Sequence, residues 1–285
     1  MARVHPFNGQ RAAIATMHGK EQVVAPVMAQ WFGLLVERAE EIDTDALGTF
    51  TGEIERKGSM LDAARAKARL AIERTGARLG IGSEGAFGPH PIVPILPSGL
   101  ELIVLIDSES NHEIAVHRRT RTNYNSTFVT PGEDPSDFLE RVGFPRHAVI
   151  VRPEVGDEHP AMMKGIVDDK DLNDAIEMLA AASASGRALV QTDMRAHLNP
   201  TRMKAIRRVT KALALRVARL CAVCGSPGFG LCDVTRGLLC GECGSPTDLI
   251  QAEIHACGRC GHIENKRQRP ETLRADPMWC SLCNP

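Results

Sequence analysis

Eight of the nine cysteines stand in four C-x2-C pairs within the last 65 residues: Cys221/Cys224, Cys240/Cys243, Cys257/Cys260 and Cys280/Cys283. A C-x2-C turn sets two sulfurs on one side of a tight loop, and two such turns complete the tetrahedron that Zn2+ takes with thiolates. Successive pairs are separated by 15, 13 and 19 residues, and the first and last gaps fit the spacing of a zinc ribbon. Two structural zinc ions are therefore expected, the first pair joined to the second and the third to the fourth. The spacing also admits a crossed arrangement, first with third and second with fourth. Gly225, Gly244, Gly261 and Asn284 follow the four pairs, and these are residue types that tolerate left-handed backbone. Cysteine fills every ligand position, so neither ion keeps a place for water or substrate. Cys232 is left over and reads as a small packed side chain.

Three polar clusters elsewhere combine charge with turn residues. Thr16-Met17-His18-Gly19-Lys20-Glu21 offers backbone N–H groups and Lys20 to a phosphate or carboxylate. Asp43–Arg56 is acid-rich: the carboxylates of Asp43, Asp45, Glu53 and Glu55 suit a hard cation such as Mg2+, and Gly48 and Gly52 let backbone approach a ligand. Beside it in this reading lies Gly82–Pro91, where Glu84 flanked by Gly85 can serve as metal ligand or general base. Thr192–Arg202 holds Asp193, Arg195, His197 and Arg202. The two arginines suit bidentate anion binding, and His197 suits either proton transfer or a loop hydrogen bond. Each cluster also reads as an ordinary turn, cap or polar loop.

The elements that would position these clusters alternate between strand and helix. Strands are expected at 11–16, 33–42, 79–83, 101–107, 114–119, 148–152 and 188–192. Helices are expected at 20–32, with a break or strain at Pro26, at 59–75 capped by Ser59, and at 134–142, 169–185 and 200–220. The pattern predicts an α/β domain over 1–220 with a mixed or largely parallel sheet flanked by helices. A small double zinc-ribbon domain follows over 221–285.

Composition narrows the partners. Lys+Arg number 34 against 35 Asp+Glu, which argues against general polyanion binding but leaves local patches open. Such a patch lies in 200–220, where Arg202, Lys204, Arg207, Arg208, Lys211, Arg216 and Arg219 occur without a single acid. It reads as a solvated helix face or as an anion-facing one. No apolar run approaches the length of a membrane span. The first residues, Met-Ala-Arg-Val-His-Pro-Phe-Asn, carry no basic–apolar–small signal pattern, so a reducing, cytoplasmic setting is expected and disulfides are not. Walker, dinucleotide and nucleophile-elbow motifs are absent from the sequence.

The blocks Thr16–Glu21, Asp43–Arg56, Ser83–Pro91 and Thr192–Arg202, with the tail ending Cys-Ser-Leu-Cys-Asn-Pro, resemble an uncharacterised bacterial protein family across nearly the whole chain. Residues 12–90 also resemble the nucleoside triphosphate pyrophosphatases of the inosine-triphosphatase and Maf-like kind. The carrying motifs are Ala15-Thr16…Lys20, the Glu53 region, Ala66-Lys67-Ala68 with Thr75-Gly76, and Glu84-Gly85. That resemblance implies that Lys20 and Lys67 hold phosphates, that Glu53 and Glu84 hold Mg2+, and that the Arg195/Arg202 segment closes the site. His18 stands near where those enzymes have Asn, and Ser83-Glu84-Gly85 replaces their paired Asp. The expected activity is Mg2+-dependent hydrolysis of a phosphorylated small molecule, a nucleotide in particular. The alternative is a non-enzymatic module whose ribbons and basic helix bind nucleic acid or a protein. The ribbons could equally staple the C-terminus or join copies of the chain into a homo-oligomer.

Overall fold

A computed structural model describes residues 4–40, 42, 58–154, 161–267 and 273–285. The acid-rich segment with Glu53 lies outside these. The chain divides into two compact units, Phe7–Leu213 and Met1–Pro6 with Ala214–Pro285, and the division falls inside the last helix.

The first unit opens with β1 (Arg11–Ala15), α1 (Glu21–Phe32), β2 (Leu35–Ala39), α2 (Met60–Thr75) and β3 (Leu79–Pro89). β1 pairs in parallel with both β2 and β3, as helix-linked strands of one sheet do. The chain then turns antiparallel through β4 (Pro97–Asp107) and β5 (His112–Arg121), giving a mixed sheet in the order β2-β1-β3-β4-β5. Asn111, at φ 50°, supplies the left-handed residue of the β4–β5 turn. α1 runs through Pro26 rather than breaking there. The proline is on the exposed side, while Val24, Val27, Met28 and Phe32 anchor the buried face.

A second, wholly antiparallel sheet follows. It contains β6 (Ser126–Val129), β7 (Val149–Pro153), β8 (Met163–Ile166) and β9 (Ala188–Thr192) in the order β6-β9-β7-β8. α3 (Ser136–Val142) and α4 (Asp169–Ala181) share its core of Phe138, Val149, Val151, Leu172, Ile176 and Val190. β6 and β8 escaped the sequence reading because each is four residues long at a sheet edge, too short for an alternation pattern. α5 (Pro200–Val217) follows, and its residues up to Leu213 belong to this unit.

α2 is the helix that matters most for the site. Ser59 Oγ accepts the Asp62 N–H at 3.2 Å, and Asp62 Oδ2 accepts the Ser59 N–H at 3.1 Å, a complete capping box. Its Ala64 and Ala68 pack on Leu102, Val104 and Ile106. The approach to β3 is closer still. A Cβ at Gly80 would overlap the Ala68 carbonyl oxygen, and one at Gly82 the Ala64 carbonyl oxygen. The glycines of β3 are therefore the floor on which α2 rests, and the Gly-rich stretch read as a loop after a strand is itself strand as far as Pro89.

Gly82→Ala is predicted to destabilise the protein by about 1–3 kcal/mol or more, since the methyl meets rigid backbone rather than a movable side chain. Chemical denaturation measures this, and an unchanged midpoint would contradict the close seating.

Candidate functional site

Strand alternation puts Gly82 and Glu84 on the face of β3 that meets α2, and Ser83 and Gly85 on the other. Lys67 leaves α2 and forms a buried ion pair with Glu84. On the opposite face, Gly85 lies across from Glu101 of β4. A side chain at Gly85 would come within 2.5 Å of the Arg202 guanidinium and 3.0 Å of the Glu101 carboxylate. Its absence makes room for a second buried pair, Arg202 Nε donating to Glu101 Oε1 at 2.9 Å. Arg202 also donates to the Met194 carbonyl, and its guanidinium lies 5.0 Å from the Phe87 ring centre.

β1 pairs with β3 only as far as Ile81. Lys20, in the turn between β1 and α1, reaches past that point and donates from Nζ to the Ser83 carbonyl at 3.0 Å. Among the described residues it makes no ion pair, although it is buried. Burial first, then the nearby charge of Arg202 against that of Glu84, with Lys67 and Glu101 behind them, brings its pKa down to about 7. Lys20 thus lies within electrostatic reach of two ion pairs on opposite faces of β3, Lys67–Glu84 toward α2 and Arg202–Glu101 away from it. Glu101 Oε2 and Ser83 Oγ are buried with no hydrogen-bond partner among the described residues. Unpartnered buried oxygens and buried charges are features that functional sites often share, although structural ion pairs also produce them.

The turn after β9 joins this group. Asn199 accepts the Arg202 N–H at 3.0 Å and donates to the Asp193 carbonyl at 3.1 Å, fixing the start of α5. His197 stacks on His18 at 5.1 Å between ring centres. Burial first, then the charge of His197, takes the His18 pKa down to about 4. Burial and Arg195 lower that of His197, against Asp193. Both imidazoles are therefore neutral at pH 7. Arg195 is engaged by Asp193, donating from Nε at 3.1 Å and from the NH2 group at 2.6 Å. Of the residues expected from sequence, Lys67 and Glu84 pair on one face of β3, Arg202 lies on the other, Lys20 reaches the strand between them, His197 stacks on His18, and Asp193 pairs with Arg195. Glu53 lies outside the described residues. Glu101 was missed. Its signal was an acid in phase with the buried side chains of Leu100-Glu101-Leu102-Ile103-Val104-Leu105, where it is wholly buried.

In the second unit the cysteines pair in the crossed order. Cys221, Cys224, Cys257 and Cys260 form one group, and Cys240, Cys243, Cys280 and Cys283 the other. Among the described residues these are the two places where three or more candidate metal ligands converge. The sulfurs of Cys221 and Cys260 stand 3.7 Å apart, those of Cys224 and Cys257 3.6 Å. In the second group Cys240 and Cys283 are 3.8 Å apart, Cys243 and Cys280 3.6 Å. Zn–S bonds of about 2.3 Å imply a tetrahedral edge of about 3.8 Å, so both groups fit Zn2+.

The crossing follows from the strands. β10 (Gly230–Arg236), β11 (Ile250–Ala256) and β12 (Ile263–Arg267) form an antiparallel meander. Gly230 lies opposite Ala256, so the pair before β10 meets the pair after β11. The other two pairs gather at the far end, roughly 20 Å away along a seven-residue strand. Leu-Cys-x2-Cys-Gly-Ser-Pro occurs at 220–227 and again at 239–246. Both copies close with the same bond, Cys221 N–H to Ser226 O at 2.9 Å and Cys240 N–H to Ser245 O at 2.8 Å. Gly225, Gly244 and Gly261 adopt positive φ. Asn284 does not, yet it keeps the turn by donating its N–H to the Cys280 carbonyl at 2.8 Å. Cys232 is exposed rather than packed, because it is the extra residue of a bulge where the β10 register shifts.

The chain belongs to the family described as Domain of unknown function (DUF6671), whose model matches residues 67–285. The match takes in Lys67, Glu84, Glu101, Arg202 and all eight paired cysteines. It begins after the Thr16–Glu21 and Asp43–Arg56 blocks, so the resemblance is narrower than the whole chain. No curated protein and no solved structure matches.

Two outcomes are expected. The double variant Cys221→Ser/Cys257→Ser retains one zinc per chain by elemental analysis, whereas Cys221→Ser/Cys240→Ser loses both; the reverse would restore sequential pairing. For Lys20, the unfolded chain holds its proton to about 10.5 and the folded protein only to about 7. Between these values the unfolded state binds more protons, so stability rises with pH. Below about 7 both states carry the charge and the full cost of burying it persists. The unfolding free energy of the wild type minus that of Lys20→Met should therefore climb between pH 7 and 9, by up to about 1.4 kcal/mol per pH unit. A flat difference would mean that Lys20 is not buried as a cation.

Proposed function

We propose that the Phe7–Leu213 unit binds a phosphorylated small molecule, a nucleotide, and hydrolyses it with the help of Mg2+. The observation that carries this reading is buried Lys20 within electrostatic reach of two buried ion pairs, Lys67–Glu84 on one face of β3 and Arg202–Glu101 on the other. Phosphoryl chemistry asks a protein mainly for positioning and for neutralising charge on oxygen. Cations on three separate elements can hold different phosphate oxygens, and Arg202 offers a fork suited to two of them. Lys20, close to half-protonated at neutral pH, takes up its proton as an anion arrives.

The carboxylates are oxygen donors of the kind Mg2+ accepts. Glu84, on the face of β3 that meets α2, is the residue that would hold it, together with Glu53 from the segment not described. When bound, Mg2+ neutralises a leaving pyrophosphate and acidifies a coordinated water. The neutral His18/His197 stack then serves the substrate's surroundings as a hydrogen-bonding surface rather than as a further positive charge.

Zinc-replete protein should release phosphate from at least one member of a nucleotide panel with Mg2+ and added inorganic pyrophosphatase. Glu84→Gln should reduce that turnover by roughly a hundredfold or more, and Lys67→Met should weaken it too. A silent panel, or turnover indifferent to both substitutions, would overturn the proposal.

A further inference from the structure

The outward side of α5 belongs to neither the charged group nor the zinc sites. Ile206, Val209, Thr210 and Leu213 are fully buried and define the inner face of the helix. Lys204, Arg207, Arg208 and Lys211 are all exposed. Their spacing of three and four residues aligns them on one face, over about 10 Å of helix. Among the described residues none of the four has an ion-pair or hydrogen-bond partner. The helix contains no acid and no aromatic residue. Four unpaired cations in a row repel one another, and a chain with almost equal numbers of acids and bases does not acquire such a row from its average composition.

We propose that this face of α5 binds the phosphate backbone of double-stranded nucleic acid. The row is rigid and carries positive charge only, so its complement is a regularly spaced array of negative charge. Without an aromatic side chain it has no platform on which unpaired bases stack, which favours duplex over single strand. Without an exposed large apolar residue between Lys204 and Lys211 it has nothing to insert into a bilayer, which favours nucleic acid over an anionic membrane. Contacts of this kind position a protein without reading sequence.

Fluorescence anisotropy with a labelled 20-base-pair duplex of mixed sequence tests this on the full, zinc-replete chain. Four phosphate contacts give a slope of log affinity on log salt of up to about −3.6, or roughly a hundredfold loss between 50 and 200 mM salt. The quadruple variant K204A/R207A/R208A/K211A should lose binding at least tenfold and flatten the slope. The quadruple R69A/R74A/R141A/R146A removes the same net charge from exposed residues elsewhere and should bind as the wild type does. Equal loss in both variants would reduce the effect to overall charge and overturn the proposal. So would absence of duplex binding at 50 mM salt, or preference for the single strand or for phosphatidylserine vesicles over the duplex. The four side chains lie outside the catalytic group, so nucleotide turnover should persist in the first variant.

Discussion

The close seat of α2 on β3 is the constraint from which the arrangement of the first unit follows. Gly80 and Gly82 remove the side chains that would hold the helix away, and Ala64 and Ala68 present the least bulk from the other side. At that separation Lys67 cannot avoid Glu84, and both are taken out of water together. Burying an ion pair seldom adds stability. Two such pairs beside a buried lysine that has no ion pair of its own among the described residues are therefore not accounted for by stability alone. Gly85 repeats the device on the other face, where a missing Cβ admits Arg202 to Glu101. Glycines along one strand thus set the positions of charges contributed by α2, β4 and α5.

Much of this was legible in the chain. Ser59 announced the start of α2, and the alternation of apolar runs with helical stretches announced a mixed α/β unit. Lys20, Glu84 and Arg202 drew notice because charge and glycine occur together at the expected ends of elements. Glu101 was hidden by its neighbours, since an acid inside a strongly apolar strand disappears into the strand's own signal. The extension of β3 to Pro89 was hidden for the opposite reason, as glycine spacing that serves helix packing looks the same as a loop.

The zinc unit shows why spacing alone leaves connectivity open. Gaps of 15 and 19 residues suit a ribbon, but they say nothing of the strands within them. Once β10, β11 and β12 run antiparallel, alternate cysteine pairs share an end of the sheet and consecutive pairs cannot meet. The doubled Leu-Cys-x2-Cys-Gly-Ser-Pro motif gives two equivalent knuckles at opposite ends, each completed by a later pair. Two ions held there would tie a small sheet at both ends of its length, which suits a unit with few buried apolar side chains of its own.

In the proposed anion site Lys20 is the adjustable member, because its charge depends on what occupies the site. Titration calorimetry with inorganic pyrophosphate at pH 8, run in buffers of different ionisation enthalpy, measures both binding and proton exchange. The wild type is expected to bind and to take up a substantial fraction of a proton more than Lys20→Met does, since the arriving charge raises the lysine's pKa from about 7. Failure of pyrophosphate to bind the folded protein, or the same proton count in wild type and variant, would contradict the proposed anion site.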